Sequence, residues 1–299
     1  MMQAVQQTGI PPAGIPPEAV PQSDGSLASG IRDLVEADEV QLPPLPEVAI
    51  RVQELLSSDQ ADTRELDDLL SQDPAIVAAL LRLANSAAFG GLRRVEALSM
   101  AIQRIGLRQV GALVTGLSLK GHFEMGSGIK KELLEVLWDH SVTTAFAARA
   151  IARQVGFDSE KAFLAGLLHD CGKVLVLTAV DRLQERGEEI VPTRELLIEL
   201  MDQLHAELGY RVLTDWKLPE EIADVALNHD QEEPGAGELV LCVQAANLIT
   251  QKLGFHLDPD PSLSIVEDPV LEDLGLDDLT VATLMVDMED HLMEMKRLF

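Results

Sequence analysis

The sequence predicts an all-α protein, and three observations carry that prediction. Apolar residues recur at i, i+3, i+4 and i+7. Ile76, Ala79, Leu80 and Leu83 form one such face, and Leu197, Leu200, Met201 and Leu204 repeat it. Aromatic residues are only 3% of the 299 residues while hydrophobic residues are 46%, so the core must rest on Leu, Val, Ile and Ala. Leu and Ala favour helix. There is no convincing run of alternating polar and apolar residues. Residues 174–177 suit a strand by composition but sit inside helical surroundings.

Taken in order, residues 1–30 hold five Pro, four Gly and four Gln with no basic residue, and read as a flexible tail. Residues 31–257 read as helix after helix, in an N-terminal half of about 31–125 and a second half of about 126–257. Asp73-Pro74 supplies an N-cap followed by Pro at the first helical position. Asn85 and Ser86 are placed to cap the end of that helix ahead of Gly90-Gly91. Gly106, Gly156, Gly172 and Gly209 punctuate the rest, with Gly172 expected to allow a tight helix end. Residues 258–299 change character: twelve acidic residues oppose Lys296 and Arg297, and Pro259, Pro261 and Pro269 mark a loop. A last helix is expected from about Leu279. Val281, Met285, Met288, Leu292 and Met295 step by 4, 3, 4 and 3, an apolar seam that packs on the body or on a partner, a second copy of the chain included.

Charge narrows the function. Lys plus Arg number 23 against 50 Asp plus Glu, a net charge of −27. Such a chain repels a phosphate backbone and gains little from counterion release, which argues against general nucleic-acid binding. It equally disfavours anionic membranes. No run of 18 apolar residues is present. The Pro-broken N-terminus lacks the basic start of a signal peptide. Cys171 and Cys242 form no CxxC pair. A cytoplasmic setting is expected.

The informative unit is LLHDCGK, residues 167–173. A neutral imidazole and a carboxylate side by side, His169 and Asp170, can both ligate a divalent transition metal, and the two oxygens of Asp170 can bridge two ions. Lys173 is placed to meet a phosphate or to cap carbonyls of its own helix end. His140 in WDHSV, His205 in LHAEL and His229 in ALNHD add weight. All four histidines are expected at helix starts or ends, whereas His122, His256 and His291 lack such context. Cys171 reads as a small buried hydrophobe. Arg93, Arg94, Arg104 and Arg108 are the main basic concentration: a solvated face, or an anion site for a nucleotide phosphate or acidic partner.

His140, the His169-Asp170 pair with Gly172-Lys173 after it, His205 and His229 resemble the HD superfamily of metal-dependent phosphohydrolases, and most of all the branch with the HD-GYP cyclic-di-GMP phosphodiesterases. LPPLPEVAIRVQELL at 42–56, SQDPAIVAALLRLANSAAFGG at 71–91 and VEALSMAIQRIGLRQV at 95–110 resemble the HDOD domain, the signalling output relative of that branch. The resemblance covers about residues 35–255 and implies a multi-helix HD-like bundle. It implies metal positions at His140, His169 and Asp170, with His205 and His229 serving a second ion. Fe, Mn or Zn, as one ion or two, is the implied cofactor. Asp170 and Lys173 would be the catalytic residues of an enzyme. Three departures stand out. His229 is followed by Asp230, which can ligate where a second His is usual. Asn247 stands where the superfamily closes its site with Asp. No GYP segment follows His229. Without metal, Asn247 is placed to hydrogen-bond His169 or Asp170.

Two functions follow. The first is a bacterial signal-transduction module that binds a ligand or a protein partner without turnover. Its implied partners are receiver, kinase or diguanylate-cyclase proteins. The second is a metal-dependent phosphohydrolase acting on a nucleotide such as a cyclic dinucleotide.

Overall fold

The computed structural model describes residues 24–295 apart from 57–61, 87–88, 90–92, 232–235 and 266–267. Fourteen α-helices and no strand occur among the described residues. The first, α1 (Asp24–Glu36), begins ahead of the boundary expected at 31. Its Leu27, Ala28, Ile31, Leu34 and Val35 repeat at helical spacing and are all buried. The Pro and Gln that suggested a tail stop at Gln22, before this stripe begins, so an average over 1–30 concealed it. The remainder of the expected tail, 1–23, lies outside the described residues.

Helices α2 (Glu47–Leu56), α3 (Thr63–Leu70), α4 (Pro74–Ala84), α5 (Leu98–Ile105) and α6 (Leu107–Phe123) follow. Asp73 caps α4, accepting from the N–H groups of Ala75 and Ile76, with Pro74 at the first position. Ile76, Ala79, Leu80 and Leu83 are buried, as their spacing predicts. Asn85 does more than cap. Its Nδ2 donates to Leu81 O at 2.7 Å and to Val95 O at 2.8 Å, and its Oδ1 accepts from Val95 N–H at 2.8 Å. One amide thus pins both ends of the segment between α4 and α5.

Helix α6 packs on α2 and α5 and also on α7 (Ile129–Val155) and α8 (Ser159–Leu168), joining the two halves. Helix α7 lies along the second half, against α8, α12 (Glu238–Lys252) and α14 (Asp278–Met295). Helix α9 (Cys171–Glu185) packs on α10 (Arg194–Asp215), which packs on α11 (Glu220–Asn228); α1 covers α9 and α10. Residues 174–177 are helical and buried in α9, so their β-like composition reflects burial. The most apolar 18-residue window within Ser159–Glu185 has a mean hydropathy of 1.6, and 94% of it is buried inside the protein.

Short α13 (Pro269–Asp273) leads to α14. Val281 and Met288 of the seam are buried, and Met285 packs against the core. This stretch of the seam therefore packs on the body, along α7. Leu292 and Met295 lie outside the described side chains.

Candidate metal centre

Helix α8 ends at Leu168 and α9 starts at Cys171, so His169 and Asp170 occupy a two-residue break inside the core. Two glycines bring the neighbouring helices close. A Cβ on Gly166 would lie 3.0 Å from Ala145 Cα and Thr144 O of α7. A Cβ on Gly172 would lie 2.0 Å from His205 O and 2.6 Å from Gly209 N of α10. Gly172 thus serves a helix crossing within the first turn of α9 and not the tight helix end expected for it. His169 and His229 are the C-caps of α8 and α11, as expected. His140 and His205 sit well inside α7 and α10, because long helices crossing the core reach its centre at their middles.

All four imidazoles are held the same way. Nδ1 of His140 bonds Phe255 O at 2.7 Å, that of His169 bonds Gly166 O at 2.8 Å, and that of His205 bonds Met201 O at 2.8 Å. Nδ1 of His229 lies 3.1 Å from both Val225 O and Ala226 O. A carbonyl only accepts, so each Nδ1 carries a proton, and in the neutral ring the Nε2 lone pair is left for the centre; His205 Nε2 is the exception without metal, since it also bonds the Asp230 carboxylate, which only accepts, and so carries a proton there.

Those nitrogens converge on Asp170. Its Oδ2 is 3.4 Å from Nε2 of both His140 and His169. Its Oδ1 is 3.5 Å from His229 Nε2 and 3.8 Å from His205 Nε2. Two triads therefore share one carboxylate: His140, His169 and Asp170, and Asp170, His205 and His229. Asp170 is 1% exposed, yet its Oδ1 has no hydrogen-bond partner. The His140 and His169 Nε2 atoms face each other at 3.1 Å. Inward lone pairs, an orphaned carboxylate oxygen and two facing acceptors suit a divalent transition metal such as Fe, Mn or Zn, and the residues fit that group.

Lys173 is buried and its Nζ lies 2.7 Å from Asp170 Oδ2. It caps no carbonyl at its helix end, since a buried carboxylate attracts it more strongly. Asp230 stands at the open edge, its side chain 48% exposed, with Oδ2 2.9 Å from His205 Nε2 and Oδ1 3.4 Å from His229 Nε2. Asn247 bonds neither His169 nor Asp170. Its Nδ2 points to Asp230 Oδ1 at 3.5 Å, and its own Oδ1 is buried without a partner.

Protonation follows burial first. Burial pushes His169 down to about 4, against the charge of Asp170. Burial also opposes the charge on Asp170, but Lys173 and His169 outweigh it and hold the carboxyl well below its usual range. His205 is raised: burial lowers it, and the Asp230 hydrogen bond with the Asp170 charge more than compensates. Burial pushes the Cys171 thiol well up, leaving it an unreactive core group.

The arginines separate. Arg104 donates from Nη1 to Ala84 O at 3.0 Å and from Nη2 to Arg93 O at 2.7 Å. Arg108 reaches Asp158 Oδ2 at 2.5 Å, the carboxylate that also caps α8. These two guanidiniums are held by in-chain acceptors and not turned to a common anion. Arg93 and Arg94 are exposed.

One residue escaped the sequence. His256 packs edge-on against His140, ring centroids 5.0 Å apart at 87°, and burial followed by the His140 charge pushes it down to about 4. Its one sequence signal is Gly254 two residues before it, at φ 86°, which turns the chain back after α12. His122, in contrast, is tied to Leu119 O and Pro43 O away from the centre.

An uncharacterized protein of Treponema pallidum (strain Nichols) is 27% identical over 210 residues, 68% of this chain; the match takes in 39% of that protein's length. Two solved structures share the fold. A Shewanella amazonensis protein, provisionally described as a metal-dependent phosphohydrolase, aligns with a TM-score of 0.73 at 22% identity, covering 92% of this chain and 98% of its own. An HDOD domain protein of unknown function from Geobacter sulfurreducens aligns with a TM-score of 0.70 at 24% identity, covering 92% and 99%. The HDOD domain matches residues 42–232, from the loop before α2 to just beyond Asp230. With well over half its length matched and its helices arranged as in these structures, the chain belongs to the HDOD domain family.

Proposed function

We propose that this protein is a bacterial regulatory module of the HDOD type that holds a divalent transition metal, and that it acts by presenting the state of that centre to signalling proteins. The carrying observation is the uniform fixing of four imidazoles. Every Nδ1 is on a backbone carbonyl, and every Nε2 faces an Asp170 whose Oδ1 lacks a partner. His140 and His169 would hold an ion at Oδ2 of Asp170. His205 and His229 would hold one at Oδ1, with Asp230 closing the outer side.

Asn247 and Lys173 favour binding over turnover. A neutral amide in place of a carboxylate contributes no charge and is a poor general base. Lys173 already neutralises Asp170 at 2.7 Å and is not free to meet a phosphoryl oxygen without leaving that carboxylate buried and unpaired. Metal analysis of the full chain purified without chelator tests the reading. About one equivalent or more of Fe, Mn or Zn is expected, lost in His169→Ala. A chain that takes no metal even after reconstitution under reducing conditions overturns it.

The completeness of the donor set supports a second reading, metal-dependent hydrolysis of a nucleotide phosphoester, cyclic dinucleotides being the first class to assay. A bound metal supplies Lewis acidity to a phosphoryl oxygen. The chain's own residues then orient the ester: Asp230 and Asn247 line the exposed edge. Turnover by the loaded protein that disappears in Asp170→Asn would establish it.

A further inference from the structure

Helix α14 is apolar on two sides. Val281, Leu284, Met285 and Met288 share one face, buried or packed against the core along α7. Leu279, Ala282 and Val286, spaced i, i+3, i+7, share another, about a third of a turn round the helix. Leu279 is 76% exposed and Val286 57%, and Ala282 is exposed between them. A helix that rests on a protein body by one stripe ordinarily turns a polar surface to water. This one turns Leu and Val outward. Exposed carboxylates border the outer stripe, Asp278 and Glu289 on one side and Asp287 on the other. Residues 258–295 hold twelve Asp and Glu and no Lys or Arg. The face lies outside residues 42–232, which match the HDOD domain.

We propose that the outer face of α14 docks a cationic amphipathic helix of a second protein. The aliphatic stripe of that helix lies on Leu279, Ala282 and Val286, and its Lys or Arg side chains pair with the bordering carboxylates. Charge selects this occupant. In a second copy of the chain, a two-fold pairing of α14 helices would set one carboxylate border against the other, and like charges repel across an interface. An anionic membrane is repelled in the same way. A partner helix with Lys or Arg flanking Leu or Ile meets both features of the face. Aliphatic contact supplies affinity, and the ion pairs fix register and reject other partners. The surface is apart from the metal centre, although α14 rests on α7, the helix that carries His140. The proposal goes beyond the metal-holding reading and does not depend on it.

The probe is a synthetic Leu/Lys helix as long as α14, 18 residues, with Leu at i, i+3 and i+7. A control peptide has the same composition in an order that forms no stripe. Each is titrated into the full chain in chelator, at physiological salt to screen general attraction, and followed by fluorescence anisotropy. The chains compared are the native one, Leu279→Ser with Val286→Ser, and Asp278→Asn with Glu289→Gln. All should keep the same helical circular dichroism, since every substituted side chain is exposed. The native chain should bind the striped peptide about tenfold or more tightly than the control. The serine variant should bind both peptides equally. The amide variant should bind the striped peptide about threefold more weakly than the native chain. Equal binding of the two peptides by the native chain overturns the proposal, and that comparison needs no substitution. A preference that survives in the serine variant overturns it, as does unchanged affinity in the amide variant. So does a native chain that sediments as a dimer while the serine variant is a monomer, because a second copy would then occupy the face. A chain that prefers the striped peptide yet takes up no metal supports docking and overturns only the metal-holding reading.

Discussion

Gly172 and His205 meet so closely that a Cβ on the glycine would stand 2.0 Å from the histidine's carbonyl oxygen. Backbone cannot yield as a flexible side-chain tip can. Gly172→Ala should push α9 from α10 and cost about 1–3 kcal/mol, the range for overpacking. In a domain of this size that is about 2–4 °C of Tm per kcal/mol. The same shift moves His205 relative to Asp170, so metal affinity should fall as well. Thermal unfolding together with a metal titration reads both; an unchanged Tm would show that the crossing relaxes freely.

Lys173→Met should be far more damaging without metal than with it. Removing the ammonium 2.7 Å from a 1% exposed carboxylate leaves Asp170 buried and unpaired. Such a break costs about 3–5 kcal/mol. A divalent ion supplies the missing charge. Urea unfolding of the variant in chelator and in excess Mn should show a much larger metal-dependent gain than in the native chain.

Asn247→Asp should act in opposite directions on the two states. A new carboxylate beside Asp230, where the amide now lies 3.5 Å from Oδ1, adds like-charge repulsion to the metal-free protein. It also adds an anionic donor. The metal-free variant should melt lower, and its metal affinity should rise about tenfold or more. If affinity does not rise, residue 247 does not face the metal.

Stability without metal should decline as pH falls from about 6.5 towards 4. Burial holds His169 and His256 at about 4 in the folded chain against an ordinary 6.5. In that window the unfolded chain binds protons that the native chain does not, so stability rises with pH. His205 acts in the other sense, because its folded pKa is raised; its contribution is full below 6.5 and is lost as pH rises through that higher value. Two histidines oppose one. The urea midpoint in chelator should therefore drop from pH 7 to pH 5, and His256→Gln should flatten the drop.

Asn85→Ala should cost about 1–3 kcal/mol, since it removes both bonds to the Val95 backbone in one step. The destabilisation should appear in hydrogen exchange of α5 before α9, because Asn85 acts locally. Uniform loosening of all helices would contradict this.

Much of the centre is legible in the chain. His140, His169, Asp170, His205 and His229 are recognisable from residue type and motif, and the structure brings all five together. Asp230 is legible because it follows a candidate ligand. The role of Lys173 is not, because a helical i, i+3 step offers it both a carbonyl and a carboxylate, and only burial of Asp170 decides between them. The arginines misled for a related reason. Proximity in sequence concentrates charge, but Arg104 and Arg108 point to acceptors on different elements.

The sequence by itself determined the helical class, the periodic faces that form the core, the cap at Asp73 and the residue types able to hold a metal. These follow from spacing and chemistry within a few residues. The tertiary structure alone decided which lone pairs turn inward, since each Nδ1 must find a particular carbonyl. For His140 that carbonyl is Phe255 O, 115 positions away. It alone placed His256 at the centre, because a side chain's neighbours across a helix bundle depend on how the chain turns after α12, and no periodicity records that.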